Sequence, residues 1–216
     1  MFPGWKMEDS LELYGVRRWG SGYFDVDTGG NLLVRPHRRD SQAVSLKAIV
    51  EELKGKGIGF PVLLRFPQML RDRVEELHRV FNEAIAEFEY DGSYQAVFPI
   101  KVNQRKEVVR ELLDAGRRFN YGLEVGSKTE LLAALALDPN PSSLLVCNGL
   151  KDENFIRLGF DASLAKEKLF LVVDEVEEVP SIIEQARSRG FLPLLGLRVK
   201  LYMRGAGRWI TSGGEL

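Results

Sequence analysis

Residues 94–104 read YQAVFPIKVNQ, and the interpretation of the whole chain starts from this stretch. Its first five residues are mostly apolar, which predicts a short buried strand. Pro99 has no N–H group to donate to a sheet ladder, so we expect the strand to end near it. Polar side chains follow, and the first of them is Lys101. The sequence therefore predicts a lysine at the carboxyl end of a buried strand.

A lysine in that position has two interpretations. In α/β proteins, ligands bind at the carboxyl ends of the strands, and a partly desolvated lysine there can have its pKa lowered enough for the free amine to attack a carbonyl group. The alternative is a solvated surface lysine, one of 30 Lys and Arg residues in the chain. Position alone leaves both interpretations open.

Strand candidates alternate with helical patterns along the chain. Six apolar runs have the character of strands: residues 62–66, 94–98, 121–125, 144–147, 169–173 and 194–199. Because these runs are apolar rather than alternating, they favour a parallel sheet covered by helices. Two architectures fit, an open doubly wound sheet and a (β/α) barrel. A barrel needs about eight strands, so in that case this chain supplies only part of one.

The pattern upstream of the alternation is different. Residues 1–19 have no strong periodicity, which predicts an extended or irregular lead-in. Apolar segments flank the turn sequence DTGG at residues 27–30 and predict a β-hairpin, and apolar residues between 46 and 53 have the spacing of a short helix. We therefore predict two domains: residues 1–58, with the hairpin and the short helix, and residues 59–216, the partial barrel.

Composition limits the classes of function. The 30 Lys and Arg residues nearly balance 31 Asp and Glu residues, so the net charge of -1 gives no global reason to expect a nucleic acid or an anionic membrane as partner. The single cysteine, Cys147, excludes an internal disulfide and favours a reducing compartment. The sequence shows no secretion signal and no apolar run long enough to span a bilayer. We expect a cytoplasmic protein.

Six longer motifs point to a known family. They are WGSGYFDV at residues 19–26, FPIKVNQ at 98–104, GLEVGSKTEL at 122–131, VCNGLKD at 146–152, LGLRVKL at 195–201 and GAGRWITSGGE at 205–215. Together they resemble the pyridoxal-phosphate-dependent decarboxylases built on the alanine-racemase-like barrel, in particular the members that act on arginine. The resemblance implies an α/β fold, a (β/α)8 TIM-type barrel that is incomplete here at about six strands, preceded by a small β-hairpin segment.

The resemblance also implies roles for four residues. Lys101 is the expected catalytic residue, and its amine binds the cofactor, pyridoxal 5'-phosphate. Glu124 matches an acidic position close to that lysine, while Glu130 and Arg198 match positions that support the lysine and the cofactor. Simpler interpretations stand beside these: Glu130 caps a helix with Ser127, and Glu124 pairs with a nearby Lys or Arg. Arg198 lies in a strand run, where a buried charge needs a partner.

Two further features have a simple structural interpretation. The glycine-rich motif at residues 205–215 matches neither a complete Rossmann nor a P-loop motif, so we expect a flexible active-site loop, with a phosphate cradle of backbone N–H groups as the alternative. Cys147 lies in an apolar run and is interpreted as a small buried side chain rather than a nucleophile.

For function, the resemblance implies decarboxylation of the small-molecule substrate L-arginine to agmatine and CO2 in polyamine and spermidine biosynthesis. It also implies a homo-oligomer at full length and allows a requirement for Mg2+. Members of the family continue well beyond the equivalent of residue 216, so we expect this polypeptide to be a fragment that is inactive alone. The alternatives are a related barrel decarboxylase acting on ornithine or diaminopimelate, and a noncatalytic pyridoxal-phosphate-binding protein.

Overall fold

The computed structural model describes residues 4–199, which form two compact units divided in sequence between Val80 and Phe81. The first unit contains helices α1 (Met7–Leu13), α2 (Val16–Trp19) and α3 (Leu46–Gly55) and strands β1 (Phe24–Val26), β2 (Leu32–Val34) and β3 (Val44–Ser45). Helix α4 (Pro67–Glu87) carries the boundary. The second unit contains strands β4 (Val97–Pro99), β5 (Gly122–Val125), β6 (Leu145–Cys147), β7 (Leu169–Val173) and β8 (Leu194–Leu197) and helices α5 (Lys106–Gly116), α6 (Lys128–Leu137), α7 (Glu153–Ser163) and α8 (Val179–Arg189). The division predicted at residues 58 and 59 stays a prediction.

The predicted hairpin is part of a three-stranded antiparallel sheet in the order β1-β2-β3. Asp27 Oδ1 accepts hydrogen bonds from the backbone N–H groups of Gly29 (2.9 Å) and Asn31 (2.8 Å) and so closes the turn between β1 and β2. Gly30 has a φ of 78°, which glycine adopts without steric cost. The hairpin prediction is confirmed, and β3 extends the sheet by one strand.

The prediction of an irregular lead-in was wrong for the described part of residues 1–19, which contains α1 and α2. The backbone N–H of Lys6 donates a hydrogen bond of 2.7 Å to the Asp9 carboxylate, which stabilises the start of α1. Leu11 and Val16 are buried. Helices this short are stabilised by packing rather than by their own periodicity, so the sequence pattern was too brief to indicate them.

Helix α4 is the longest described helix, with 21 residues. Val74 and His78 are buried on it, and the ring Nδ1 of His78 lies 2.8 Å from the Val74 carbonyl oxygen. His78 is therefore a packed histidine. Among the helices of residues 4–199, none is both long and apolar enough to cross a membrane.

The second unit is built on a parallel sheet whose spatial order follows the chain, β4-β5-β6-β7-β8. Pro99 pairs with Glu124, Glu124 with Val146, and Val173 with Leu197, so the strands end along one edge. Strands and helices share an apolar core, which includes Val109, Leu123, Leu131, Leu145, Phe160, Leu171 and Ile182. Strands buried in this way read as continuous apolar runs, and the prediction of a parallel sheet covered by helices is confirmed.

The prediction of a strand at residues 62–66 was wrong, because the described parallel sheet has five strands and this run is not among them. Pro61 and Pro67 bracket the run and remove two N–H donors. A strand forms only with a partner, and apolar composition alone does not specify one.

Candidate functional site

A cavity of about 490 Å³ lies at the carboxyl edge of the parallel sheet. The four residues singled out by the resemblance all line it, together with two residues that follow β6: Lys101, Glu124, Glu130, Arg198, Asn148 and Gly149. The carboxyl ends of parallel strands share one edge, and this common edge brings together side chains that are up to about a hundred positions apart in the sequence. The cavity therefore joins an amine, two carboxylates, an amide and a guanidinium group.

Lys101 lies in a 3-10 turn, Ile100–Val102, directly after β4. Ile100 is 1% exposed and anchors this turn in the core, whereas Lys101 is exposed. The expected position at the carboxyl end of a strand is confirmed, although β4 is partly buried rather than fully buried. The expected partial desolvation is not provided by residues 4–199, so within this part of the chain the amine is open to solvent and to a ligand.

Glu124 is the buried carboxylate of the cavity, at 7% exposure in β5. It pairs across the ladder with Pro99, two residues before Lys101. Glu124 Oε1 accepts a hydrogen bond of 3.1 Å from Asn148 Nδ2. In the described part of the chain no Lys or Arg forms an ion pair with Glu124, and the side chain that donates to it is an amide rather than a cation.

Glu130 lies in the first turn of α6 and lines the cavity. The backbone N–H of Glu130 donates to Ser127 Oγ (3.3 Å), so the expected cap is Ser127, and the Glu130 side chain does not complete a capping box by bonding to the Ser127 N–H. Its carboxylate accepts hydrogen bonds from the Gly126 backbone N–H (2.7 Å) and from Gln104 Nε2 (3.2 Å). Glu130 therefore ties the loop after β5 to the segment that follows Lys101.

Arg198 does not lie within a strand, because β8 ends at Leu197. Its side chain is half exposed and forms an ion pair of 3.0 Å with Asp174 Oδ2, so the predicted buried charge was wrong while the expected partner is present. The backbone N–H of Arg198 donates to the Val173 carbonyl (3.1 Å), which continues the β7–β8 ladder by one bond. Asp174 Oδ1 is buried and accepts no hydrogen bond within residues 4–199.

Asn148 and Gly149 were not singled out by the sequence reasoning. Gly149 has a φ of 78°, and a Cβ atom placed on it would lie 3.2 Å from the Gly126 carbonyl oxygen. A glycine is therefore required where the loops after β5 and β6 approach each other. Their position in the sequence could have indicated a place in the site. Both residues follow the apolar run of β6, just as Lys101 follows β4.

Cys147 ends β6 next to the cavity residues and is fully buried. Burial raises the pKa of its thiol to about 12, with the Glu124 carboxylate adding to the rise and the Lys151 ammonium opposing it. A thiol with this pKa is protonated at neutral pH and is a poor nucleophile. The interpretation of Cys147 as a packed side chain is confirmed.

The described residues fit the cofactor that the resemblance implies. A volume of about 490 Å³ lies within the usual range for small-ligand cavities. Lys101 supplies a primary amine for a covalent bond to an aldehyde, and the Gly126 and Gly149 backbones leave space that a Cβ would fill. The glycine-rich motif at residues 205–215, expected to be an active-site loop, lies outside the described residues.

Known proteins of one family are similar to this chain. Residues 71–216 match the family model for the pyridoxal-dependent decarboxylase, pyridoxal binding domain. A protein named biosynthetic arginine decarboxylase from Parasynechococcus marenigrum (strain WH8102) is 44% identical over 212 residues, which cover 98% of this chain and 33% of that protein. A protein of the same name from Rhodopirellula baltica is 45% identical over 97% of this chain and 31% of its own length. The chain thus spans about a third of the length of the curated relatives that it matches.

A solved structure gives the same result for the fold. The crystal structure of the biosynthetic arginine decarboxylase SpeA from Campylobacter jejuni matches with a TM-score of 0.76 and 34% identity, over 88% of this chain and 31% of that chain. Of the two architectures left open by the sequence, the parallel sheet is therefore the incomplete α/β barrel. Because the family model covers more than half of its residues, this chain belongs to the pyridoxal-dependent decarboxylases, through their pyridoxal-binding domain.

Proposed function

We propose that this chain contributes the pyridoxal-binding part of an enzyme that converts L-arginine to agmatine and CO2. The observation that carries the proposal is the common cavity of Lys101, Glu124, Glu130 and Arg198 at the carboxyl edge of the sheet. The names of the relatives, biosynthetic arginine decarboxylase, support arginine as the substrate. Agmatine formation would place the reaction in polyamine biosynthesis.

In this proposal each cavity residue has a distinct task. The cofactor supplies an electron sink for the charge that a departing carboxylate leaves behind. The Lys101 amine holds the cofactor and is positioned to move a proton during turnover. Glu124, fixed by Asn148, places a buried carboxylate beside the lysine end of the cavity. Glu130 holds the segment after Lys101 through Gln104, and Arg198 offers a cation from the opposite wall.

A longer protein is part of the same proposal. The chain covers about a third of its relatives, so we expect other residues to complete the cofactor and substrate sites and the 216-residue polypeptide to lack decarboxylase activity. We also propose that the full-length protein is a cytoplasmic homo-oligomer. Light scattering of the purified protein and fractionation of the native cells would test these two points.

A magnesium requirement is a further proposal from the family resemblance. Within the described residues, no group of three or more His, Cys, Asp or Glu side chains could hold a metal ion. The test is direct: treatment of the full-length protein with a chelator should lower arginine turnover, and added Mg2+ should restore it. Full activity after exhaustive chelation would contradict the requirement.

The central experiment compares wild type, Lys101→Ala and Lys106→Ala in the full-length protein. Lys106 is also exposed but lies outside the cavity, at the start of α5, so it is a matched control. Borohydride reduction with pyridoxal phosphate should fix the cofactor on Lys101 in wild type and in Lys106→Ala, as shown by peptide mass mapping. Lys101→Ala should lose both the cofactor adduct and agmatine production.

The outcomes separate the alternatives. Faster turnover of ornithine or diaminopimelate than of arginine would reassign the substrate. Cofactor trapped on Lys101 without CO2 release from any of the three amino acids would favour a noncatalytic pyridoxal-phosphate-binding protein. Trapping on another lysine would contradict the assignment of Lys101.

A further inference from the structure

A buried carboxylate connects two loops at the edge of the cavity. Glu178, at 3% exposure, lies at the end of the short turn that follows β7. Its Oε1 accepts a hydrogen bond from the Lys151 backbone N–H (2.9 Å), in the loop after β6. Its Oε2 lies 3.0 Å from Lys151 Nζ and accepts a bond of 3.3 Å from the Asp174 backbone N–H. One side chain therefore holds backbone groups of both loops.

Lys151 completes the connection from the other side. Its side chain is fully buried, and besides Glu178 its ammonium group donates to the Gly149 carbonyl at 2.5 Å. Gly149 lines the cavity. The pair thus fixes the backbone of the loop after β6 at two points, Gly149 and Lys151 itself.

Each loop begins with a side chain that is bonded to a residue lining the cavity. Asn148, in the first loop, donates to Glu124 at 3.1 Å. Asp174, in the second, forms the ion pair of 3.0 Å with Arg198. Moving either loop would therefore move a hydrogen-bonded pair of the site.

Stability alone is a weak reason for such a pair. Removing two charges from water costs as much as their attraction returns, and apolar residues of similar size often stabilise a fold equally well. An ion pair differs from an apolar pair in that its hydrogen bonds fix direction and distance. The hydrogen bonds of the Lys151–Glu178 pair are made to backbone groups of the loops after β6 and β7. These are the loops whose first side chains bond to Glu124 and Arg198.

We propose that Lys151 and Glu178 are positioning residues that hold Asn148 and Arg198 in the geometry required for cofactor binding. The inference deepens the proposed function. It rests on one part of that function, the binding of pyridoxal phosphate in the cavity. Neither residue lines the cavity, so both act through the loops. Catalytic geometry is sensitive to displacements of about 1 Å, which can cost about a hundredfold in rate.

The same sheet contains a matched control. Lys166 and Asp138 form a second buried pair, with Nζ 2.9 Å from Oδ2, in the loops that precede β7 and β6 at the opposite edge. Lys166 also donates to Ser143 Oγ (2.9 Å) and to the Asn140 carbonyl (2.6 Å). Breaking this pair leaves a buried charge just as breaking the first pair does, but no residue of the cavity depends on it.

The experiment uses the full-length protein with Lys151→Met, Glu178→Gln and Lys166→Met, and Lys151→Arg as a milder variant. The readouts are the thermal midpoint, the Kd for pyridoxal phosphate measured well below that midpoint, and amide hydrogen exchange of the cofactor-free protein. Lys151→Met and Glu178→Gln should raise the Kd by about tenfold or more and speed exchange in residues 148–152 and 174–178. Lys151→Arg should recover part of the affinity. Lys166→Met should lower the midpoint comparably and leave the Kd unchanged.

Two results would overturn the inference. One is an unchanged Kd in Lys151→Met or in Glu178→Gln despite a lower thermal midpoint, which would make the pair a structural feature only. The other is an equal rise in Kd in Lys166→Met, which would make the effect one of general destabilisation. Failure of the proposed function would give a different result: wild type would bind pyridoxal phosphate without decarboxylating arginine. The Kd values of the variants would still decide the role of the pair in that case.

Discussion

The Asn148 amide donates a hydrogen bond of 3.1 Å to the Glu124 carboxylate, and this bond joins the ends of two neighbouring strands. Asn148 follows β6, while Glu124 lies in β5 and pairs with Val146 across the ladder. The Asn148 backbone N–H also donates to the Val125 carbonyl (2.8 Å), so both backbone and side chain hold this residue against β5. Glu124 thereby has a fixed orientation toward the cavity.

On the proposed function, Asn148→Ala should impair arginine turnover by the full-length protein without unfolding it. A hydrogen bond to a charged group contributes about 1.5–3 kcal/mol, so we expect kcat/KM for arginine to fall by about ten- to a hundredfold. Asn154→Ala is the control, since Asn154 is an exposed asparagine on α7. Steady-state kinetics of both variants measure kcat/KM. A wild-type kcat/KM in Asn148→Ala would show that the hydrogen bond from Asn148 is not required to orient Glu124.

Gly122→Ala should be strongly destabilising, because a Cβ atom on Gly122 would lie 1.7 Å from the Leu144 carbonyl oxygen. Backbone atoms of two paired strands cannot move apart without breaking the ladder, so we expect a loss of about 3 kcal/mol or more. Gly55→Ala is the matched change, since Gly55 ends α3 and has no heavy atom within 4 Å of the added carbon. It should be neutral or stabilise by up to about 1 kcal/mol. Thermal unfolding of the two variants measures the difference, and equal midpoints would contradict the close approach of β5 and β6.

Cys147 should resist alkylation in the folded protein. Burial raises the pKa of its thiol to about 12, so at pH 8 the native side chain is a neutral thiol shielded from reagent. Iodoacetamide followed by peptide mapping should label Cys147 only after denaturation. The raised pKa also means that the contribution of Cys147 to stability is present below the unfolded pKa of about 8.5 and is lost as pH rises toward 12. Rapid labelling of the native protein at pH 8 would contradict the burial.

Tyr23, in the first unit, is also a pH-sensitive group. Its hydroxyl donates to Asp72 Oδ2 at 2.6 Å, and Asp72 also pairs with Arg38 at 2.7 Å. Burial, together with the hydrogen bond to Asp72, raises the pKa of Tyr23 to about 12. Because the folded pKa is above the unfolded value of about 10, the stabilisation is complete below pH 10 and is lost as pH rises from 10 to 12.

Tyr23→Phe should therefore destabilise the protein by about 1.5–3 kcal/mol at pH 8 and by less at pH 11. Denaturant titrations at the two pH values measure this. Tyr14→Phe serves for comparison, since Tyr14 is 71% exposed and should show little change at either pH. A cost for Tyr23→Phe that is the same at pH 8 and pH 11 would contradict the raised pKa.

The parallel sheet could be predicted because its strands read as short apolar runs, such as residues 169–173, which match β7 residue for residue. The run at residues 62–66 has the same appearance but forms no strand, since pairing depends on distant partners that a local pattern does not contain. The helices of residues 7–19 were missed for the opposite reason. They are too short for a periodicity to be recognised, and packing stabilises them.

The candidate site was predictable in position and only partly in detail. Lys101 could be placed because it follows an apolar run, and the carboxyl ends of parallel strands share one edge of the sheet. Glu124 was indicated by the family resemblance. Arg198 was expected to be buried, but it follows β8 and is half exposed beside Asp174. The Asn148–Glu124 and Lys151–Glu178 contacts join residues 24 and 27 positions apart, and they depend on strand register, which composition does not determine.

The sequential order β4-β5-β6-β7-β8 has a consequence for how the chain is made. Each new strand pairs with the strand synthesised just before it, so a nascent chain leaving the ribosome always has its docking partner already present. Lys101 and Glu124 come together as soon as β5 joins β4, whereas Arg198 arrives three strands later. We expect the side of the cavity formed by Lys101 and Glu124 to assemble on the ribosome before the side formed by Arg198.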